Sequence, residues 1–391
     1  MRTSVLGVVL LAALLGTAGN AHAQQTVKIG IILPYSGQFS DTSDQLDNGI
    51  KLYMKEHGDT VAGKKIEVIR KDSGGSPDAA KRLGQELVVR ERVDILAGFS
   101  LSPDAAAVAN LSAEAKKFMV IMTATTSTLT EKSPYIARTS QTLGQNCESL
   151  GIWAYKNGVK RLYTLVSDYA PGYDAEDAIQ RTFKEAGGNI VGSVRVPLAN
   201  PDFSPFVQRV KDANPDGIFV FVPSGAQPPA LAKAMLERGL VPQNIKVMGQ
   251  GEVSDESTLK TMGDAALGTI SAFHYDYNHP SAKNKEFVAA YNAEFKRNPN
   301  FFSIGGYDGM HLIYEALKKT GGKADGDSLV AAAKGMSWES PRGPVLIDPQ
   351  TRDIVQTIYI RRVEKVGNDL VNVEIEKFDN VKDPVKARAN N

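Results

Sequence analysis

Residues 94–130 read DILAGFSLSPDAAAVANLSAEAKKFMVIMTATTSTLT. The apolar run over 93–98 ends in glycine, a strand signal, and Ser102-Pro103-Asp104 then carries the chemistry of a helix start. A small hydroxyl suits the N-cap, proline the first helical position and an acid the first turn. Segment 103–116 supplies the helix, and Met119, Val120, Ile121 and Met122 give a second buried strand. Strand, helix and strand in this order predict a parallel pair. The second strand then runs into Thr123, Thr125, Thr126, Ser127 and Thr128. Hydroxyls in such a place either cap the next element or hold something small and polar.

Outward from this unit the alternation recurs. Upstream, 27–33 is a strand halted by Pro34 and Gly37, and 42–57 has helical spacing at Leu46, Ile50, Leu52, Tyr53 and Met54. A further strand over 65–71 and a helix over 77–91 follow. The pattern restarts near residue 140. Helices over 142–157, 173–187, 203–213 and 227–238 alternate with strands over 161–166, 189–196, 217–222 and 245–249. Such alternation predicts parallel sheets covered on both faces, and two series predict an α/β fold of two doubly wound lobes. Helices over 284–298 and 306–319 come next, and 353–363 with 370–378 predict a late antiparallel pair.

At 391 residues the chain is too long for one ordinary core, in keeping with two lobes. A net charge of +1 gives no bulk field for nucleic acid or an anionic membrane, so neither is an expected partner. The first residues, MRTSVLGVVLLAALLGTAGNAHA, join Arg2 to an apolar run over 5–15 and then to Ala21-His22-Ala23. That pattern predicts a signal peptide over 1–23, cleaved before Gln24, and hence export. The apolar run is shorter than the roughly 20 residues a spanning helix needs. Cys147 is alone, which excludes an intramolecular disulfide and favours a packed, inert thiol.

Open α/β sheets bind ligands beyond the carboxyl ends of their strands. Two consecutive strand ends here are rich in donors: the Ser102 helix start, whose free N–H groups suit an anion, and the hydroxyl run at 123–128. Catalytic motifs are weak by comparison. Ser257 and Lys260 fit S-x-x-K without a companion motif. Gly249-Gln-Gly251 lacks the third glycine of a dinucleotide loop, because Ser254 stands there. His274 and His279 have no further ligand at metal spacing, and Asp168 with Asp174 reads as a solvated loop pair. No catalytic residue, metal or cofactor is expected.

Four segments together resemble the leucine/isoleucine/valine-binding class of periplasmic receptors for ABC transporters. They are VKIGIILPYSGQFSD at 27–41, the stretch 94–130, LYTLVSDYAPGYDAEDA at 162–178 and FVAAYNAEFKRNPNFFSIGGYDGMHLIYEAL at 287–317. The resemblance implies a type I periplasmic binding fold with a three-crossing hinge. One lobe would be 26–140 plus 274–344 and the other 141–273 plus 345–391, with the ligand between them. It implies a monomer in the periplasm, serving ABC permease and ATPase subunits. A ligand carboxylate would be held near Leu101 and Ser102 and on Ala124, Thr125 and Thr126. The acid that pairs with an amino acid's ammonium falls by position on Gly251, with Glu252 one place away. Gly251 there predicts a carboxylate ligand without an α-amino group, since burying an unpaired ammonium is costly; Glu252 there would restore an amino acid. Tyr169 and Tyr173 are the expected lining rings, with Phe39, Phe99 and Tyr275 as further candidates; Phe273 and Tyr307 also lie near cleft loops. Aromatic walls around an anion clamp predict a benzoate- or phenylpropenoate-like acid. The alternatives are a receptor for branched-chain or other hydrophobic amino acids, a sensory ligand-binding protein, and a secreted α/β enzyme.

Overall fold

The computed structural model describes residues 25–389, so the expected signal peptide lies outside the described residues. The first sheet contains β1 (Thr26–Leu33), β2 (Thr60–Val61), β3 (Lys64–Asp72), β4 (Ile95–Gly98), β5 (Phe118–Ile121) and β6 (Ile136–Arg138). Their order is β2-β3-β1-β4-β5-β6, parallel except at β2. Every residue of β4 and β5 is buried, because helices cover both faces; that is why these strands are unbroken apolar runs.

The second sheet is built on β7 (Arg161–Ser167), β8 (Asn189–Val196), β9 (Gly217–Phe221), β10 (Lys246–Gln250) and β11 (Ile270–Phe273). The order β11-β10-β9-β7-β8 is parallel throughout. β12 (Ser337–Ser340), β13 (Gly343–Ile347), β14 (Ile354–Val366) and β15 (Asp369–Val381) add an antiparallel margin, with β14 pairing β11. The two lobes and the late β14–β15 pair follow the sequence pattern, whereas β11, β12 and β13 are short strands the pattern did not reveal.

A lobe boundary was expected at 344/345, but Val345, Ile347 and Ile354 pack into the first lobe's core. Ile358 and Ile360 of the same β14 pack into the second lobe's core. The last passage between lobes therefore runs within a strand.

The helix expected over 306–319 begins earlier, at Phe301–Lys319, with Asn300 accepting hydrogen bonds from the Phe302 and Ser303 N–H groups. Gly306 lies inside it for steric reasons. A Cβ on Gly306 would sit 2.1 Å from the Leu46 carbonyl oxygen, and one on Gly49 1.9 Å from that of Ser303. The helices Ser40–His57 and Phe301–Lys319 thus touch backbone to backbone. Gly306→Ala is expected to destabilise the protein by about 3 kcal/mol, because backbone cannot yield as a side-chain tip can. Chemical denaturation checks this, and a loss below about 1 kcal/mol would show that the helices part easily.

Candidate ligand site between two strand-end crevices

In both sheets the chain leaves the first strand in one direction and later returns on its other side. The reversal falls between β1 and β4 in the first lobe and between β7 and β9 in the second. Such switch points open a crevice beyond the strand ends. The two crevices face each other and enclose about 450 Å³ of interatomic space, part of it open to solvent.

The first lobe contributes Phe39 and Thr42, then Ser100, Leu101 and Ser102 after β4, Thr123 and Thr125 after β5, and Phe301 and Phe302. The second contributes Tyr169 and Pro171 after β7, Pro223 and Ser224 after β9, and Glu252 after β10. Hydrogen bonds close the lobes together. The Ser127 N–H donates to Asp174 at 3.1 Å, and the Asn300 side-chain amide donates to Asp255 at 3.2 Å.

Ser102 works differently from the expected N-cap. Leu101 occupies that place, with no side-chain cap, and Ser102 begins the helix Ser102–Glu114. The Ser102 hydroxyl oxygen instead accepts the Thr125 and Thr126 N–H groups at 3.2 and 3.1 Å. With both lone pairs engaged, its own proton is left to donate, and it lies in the cavity wall. The Ser100 and Thr123 hydroxyls are buried there without partners. Neither the Leu101 nor the Ser102 N–H has an intramolecular acceptor. This wall is a set of unused donors at a helix N-terminus, which suits a carboxylate.

Ala124 and Thr126, expected as donors, are not in the wall. The Ala124 N–H donates to the Phe99 carbonyl at 2.9 Å, and the Thr126 N–H is taken by Ser102. Their carbonyls accept from the buried Arg138 guanidinium at 3.1 and 2.8 Å. Arg138 also donates to Asp353 at 2.9 Å, fastening the hydroxyl loop to the hinge. Ser127 spends its hydroxyl on Asp383 rather than on a cap.

The aromatic candidates separate. Phe39 and Tyr169 line the cavity, and Tyr169 stacks on Phe221 with ring centroids 6.1 Å apart. Tyr173 points to the outside, 41% exposed, its hydroxyl donating to Asp168 at 2.8 Å. Phe99 is fully buried in the core, and its φ of 60° turns the loop that carries Ser100 to Ser102. Tyr275 is buried too, donating to Asn284 at 3.1 Å. Phe301 and Phe302 line the cavity in their place.

Of the two second-lobe candidates, Glu252 rather than Gly251 reaches the cavity. Gly251 faces the Phe273 ring, which a Cβ would meet at 2.0 Å, and Glu252 enters the cavity wall. Glu252 accepts the Ser224 N–H at 2.9 Å. Burial, reinforced by nearby Asp255, pushes its carboxyl up to about 7. Among the described residues no Lys, Arg or His lines the cavity, so the acid has no counter-ion there. The S-x-x-K pair lies elsewhere, on the helix Glu256–Met262, with Ser257 donating to its capping Asp255. His274 and His279 part company, one beside Gln141 and the other beside Glu374.

A family model described as periplasmic binding protein matches residues 26–368. The chain belongs to this family. Among solved structures, this periplasmic binding protein superposes with a TM-score of 0.90 on a solute-binding protein of an ABC transporter from Rhodopseudomonas palustris BisB5, in complex with 3,4-dihydroxybenzoic acid. The identity is 59%, covering 92% of this chain and 99% of that one. A solute-binding protein from R. palustris HaA2, in complex with p-hydroxybenzoic acid, gives a TM-score of 0.90 at 42% identity over 93% and 100% of the two chains. The Leu/Ile/Val-binding protein homolog 6 of Brucella melitensis biotype 1 is 42% identical over 377 residues, covering 95% of this chain and 96% of its own. Family and fold are those of periplasmic binding proteins, type I, with two mostly parallel α/β lobes.

Proposed function

We propose that this chain is the extracytoplasmic receptor of an ABC importer and captures an aromatic carboxylate, of the hydroxybenzoate class, between its closing lobes. The supporting observation is one cavity with two unlike walls. Unused hydroxyl and N–H donors stand on one side, and Phe39, Tyr169, Phe301 and Phe302 supply aromatic surface around them. The hydroxybenzoates held by relatives 59% and 42% identical agree with that chemistry. Ser102 donates to the ligand carboxylate with Ser100, Thr123 and Thr125, while the rings take its aromatic body. The protein performs no chemistry on its ligand, acts as a monomer, and hands the ligand to permease and ATPase partners. The segment 1–23 directs its export to the periplasm.

A second reading is a receptor for branched-chain amino acids. Glu252 favours it, as a carboxylate in the wall that an ammonium would neutralise, and so does the likeness to the Brucella homolog. A thermal-shift panel separates the two, because a ligand of the closed state raises apparent stability. Hydroxybenzoates are expected to raise the melting temperature by several degrees and leucine, isoleucine and valine to leave it unchanged; the reverse result would establish the amino-acid reading. Ser102→Ala removes one donor and orphans two N–H groups, so it should weaken hydroxybenzoate binding by on the order of 10–100-fold. Unchanged affinity in the Ser102→Ala variant would remove Ser102 from the clamp.

A further inference from the structure

The donor wall accounts for a carboxylate but leaves Glu252 unexplained, since it adds a second acid to a cavity built for an anion. The two acids do not share a wall. The donors belong to the first lobe, after β4 and β5, whereas Glu252 belongs to the second, after β10. One carboxylate oxygen of Glu252 takes the Ser224 N–H, and the other has no protein donor and is not sealed from solvent. The Ser224 hydroxyl beside it is buried, unpartnered and also in the wall. An acceptor and a free hydroxyl thus stand together, opposite an anion clamp, with no cation among the lining residues to satisfy them. A hydrogen-bond donor on the ligand, apart from its carboxylate, would complete this corner.

We infer that Glu252, with Ser224, reads a ring hydroxyl of the ligand and makes the receptor select hydroxylated aromatic acids over unsubstituted benzoate. This inference rests on the aromatic-acid reading of the cavity. A phenol para to the carboxylate carries its O–H along the ring axis, away from the clamp, and donates to the free Glu252 oxygen while Ser224 donates to the phenol oxygen. Benzoate presents a C–H at the same place and leaves the desolvated acceptor unmade, the situation in which sites built for a hydroxyl reject the analogue without it.

The test is a calorimetric comparison of 4-hydroxybenzoate and benzoate against the wild type, Glu252→Gln, Glu252→Leu and Ser224→Ala. The wild type is expected to prefer 4-hydroxybenzoate by on the order of 10–100-fold. Glu252→Gln, which keeps the side chain's size, should cut that preference to a few-fold, and Glu252→Leu should abolish it. Benzoate affinity should hold or improve in Glu252→Leu, a result that a merely structural role for Glu252 would not give. Ser224→Ala should lower the preference and leave benzoate unaffected. If the variants weaken both ligands equally, or the preference survives Glu252→Leu, the role of Glu252 is overturned while the aromatic-acid reading stands. If neither benzoate binds the wild type, the aromatic-acid reading falls and takes this inference with it.

Discussion

Arg138→Met is expected to lower the unfolding free energy by about 4 kcal/mol, a loss typical of breaking a buried ion pair on one side. Arg138 is fully buried, and its guanidinium binds Asp353 together with the carbonyls of Ala124, Gln141, Thr126 and Ser127. Methionine fills much of the space but strands those carbonyls, and buried acceptors without donors are costly. Lys386 also pairs with Asp353, so the acid keeps one partner and the loss stays within a few kcal/mol. The variant should also bind ligand more weakly, because the loop that presents Thr123 and Thr125 loses its anchor. Arg138→Lys keeps the charge without the fork and should fall between the two. Equilibrium unfolding in urea measures the effect; a loss under about 1 kcal/mol would show that the loop holds itself.

The second large effect is a pH dependence that Glu252 imposes on the empty receptor. Its carboxyl is raised from the ordinary value of 4.5 to about 7 by burial, with Asp255 adding to the rise and the hydrogen bond from the Ser224 N–H opposing it. Between these values the unfolded chain has released the proton and the folded chain still holds it. Stability from this group is therefore greatest near and below pH 4.5 and falls as pH rises through 7, by about 3 kcal/mol in all. Other buried acids near the hinge, Asp174, Asp255 and Asp383, are raised by burial too and slope the same way. The informative quantity is therefore the difference between the wild type and Glu252→Gln. Across that window the variant should lose less stability than the wild type, and curves that stay parallel would mean Glu252 titrates as an ordinary acid.

The sequence made the fold legible wherever burial on both faces forces an unbroken apolar run. ILAG and FMVI in β4 and β5 could be read at sight, and the restart near residue 140 announced the second lobe. Elements escaped where local chemistry misleads. Gly305-Gly306 looks like a helix breaker, but Gly306 lets two helices touch and Gly305 admits the Met122 carbonyl, and the early start at Phe301 hid two aromatic residues of the site. Ser102 sits in an ideal capping context, and only the folded loop shows its oxygen taken by Thr125 and Thr126. Arg138, in the plain run ARTS, has no local signal, because its acidic partner Asp353 lies far along the chain and its other partners are backbone carbonyls. The choice between Gly251 and Glu252 depended on a single place in the register. In the fold Gly251 lies against the Phe273 ring, with no room for a side chain, and Glu252 lines the cavity. Phe99 and Tyr275 had the composition of a binding wall but were claimed by the core, which takes large rings wherever strand ends allow.

The donor wall and the aromatic wall together are proposed to hold one aromatic carboxylate. Titration calorimetry of the purified receptor with 3,4-dihydroxybenzoate, and separately with leucine, decides this. Saturable binding of one aromatic acid per chain is expected, with no heat of binding from leucine. Saturable binding of leucine with none of the aromatic acid would contradict it.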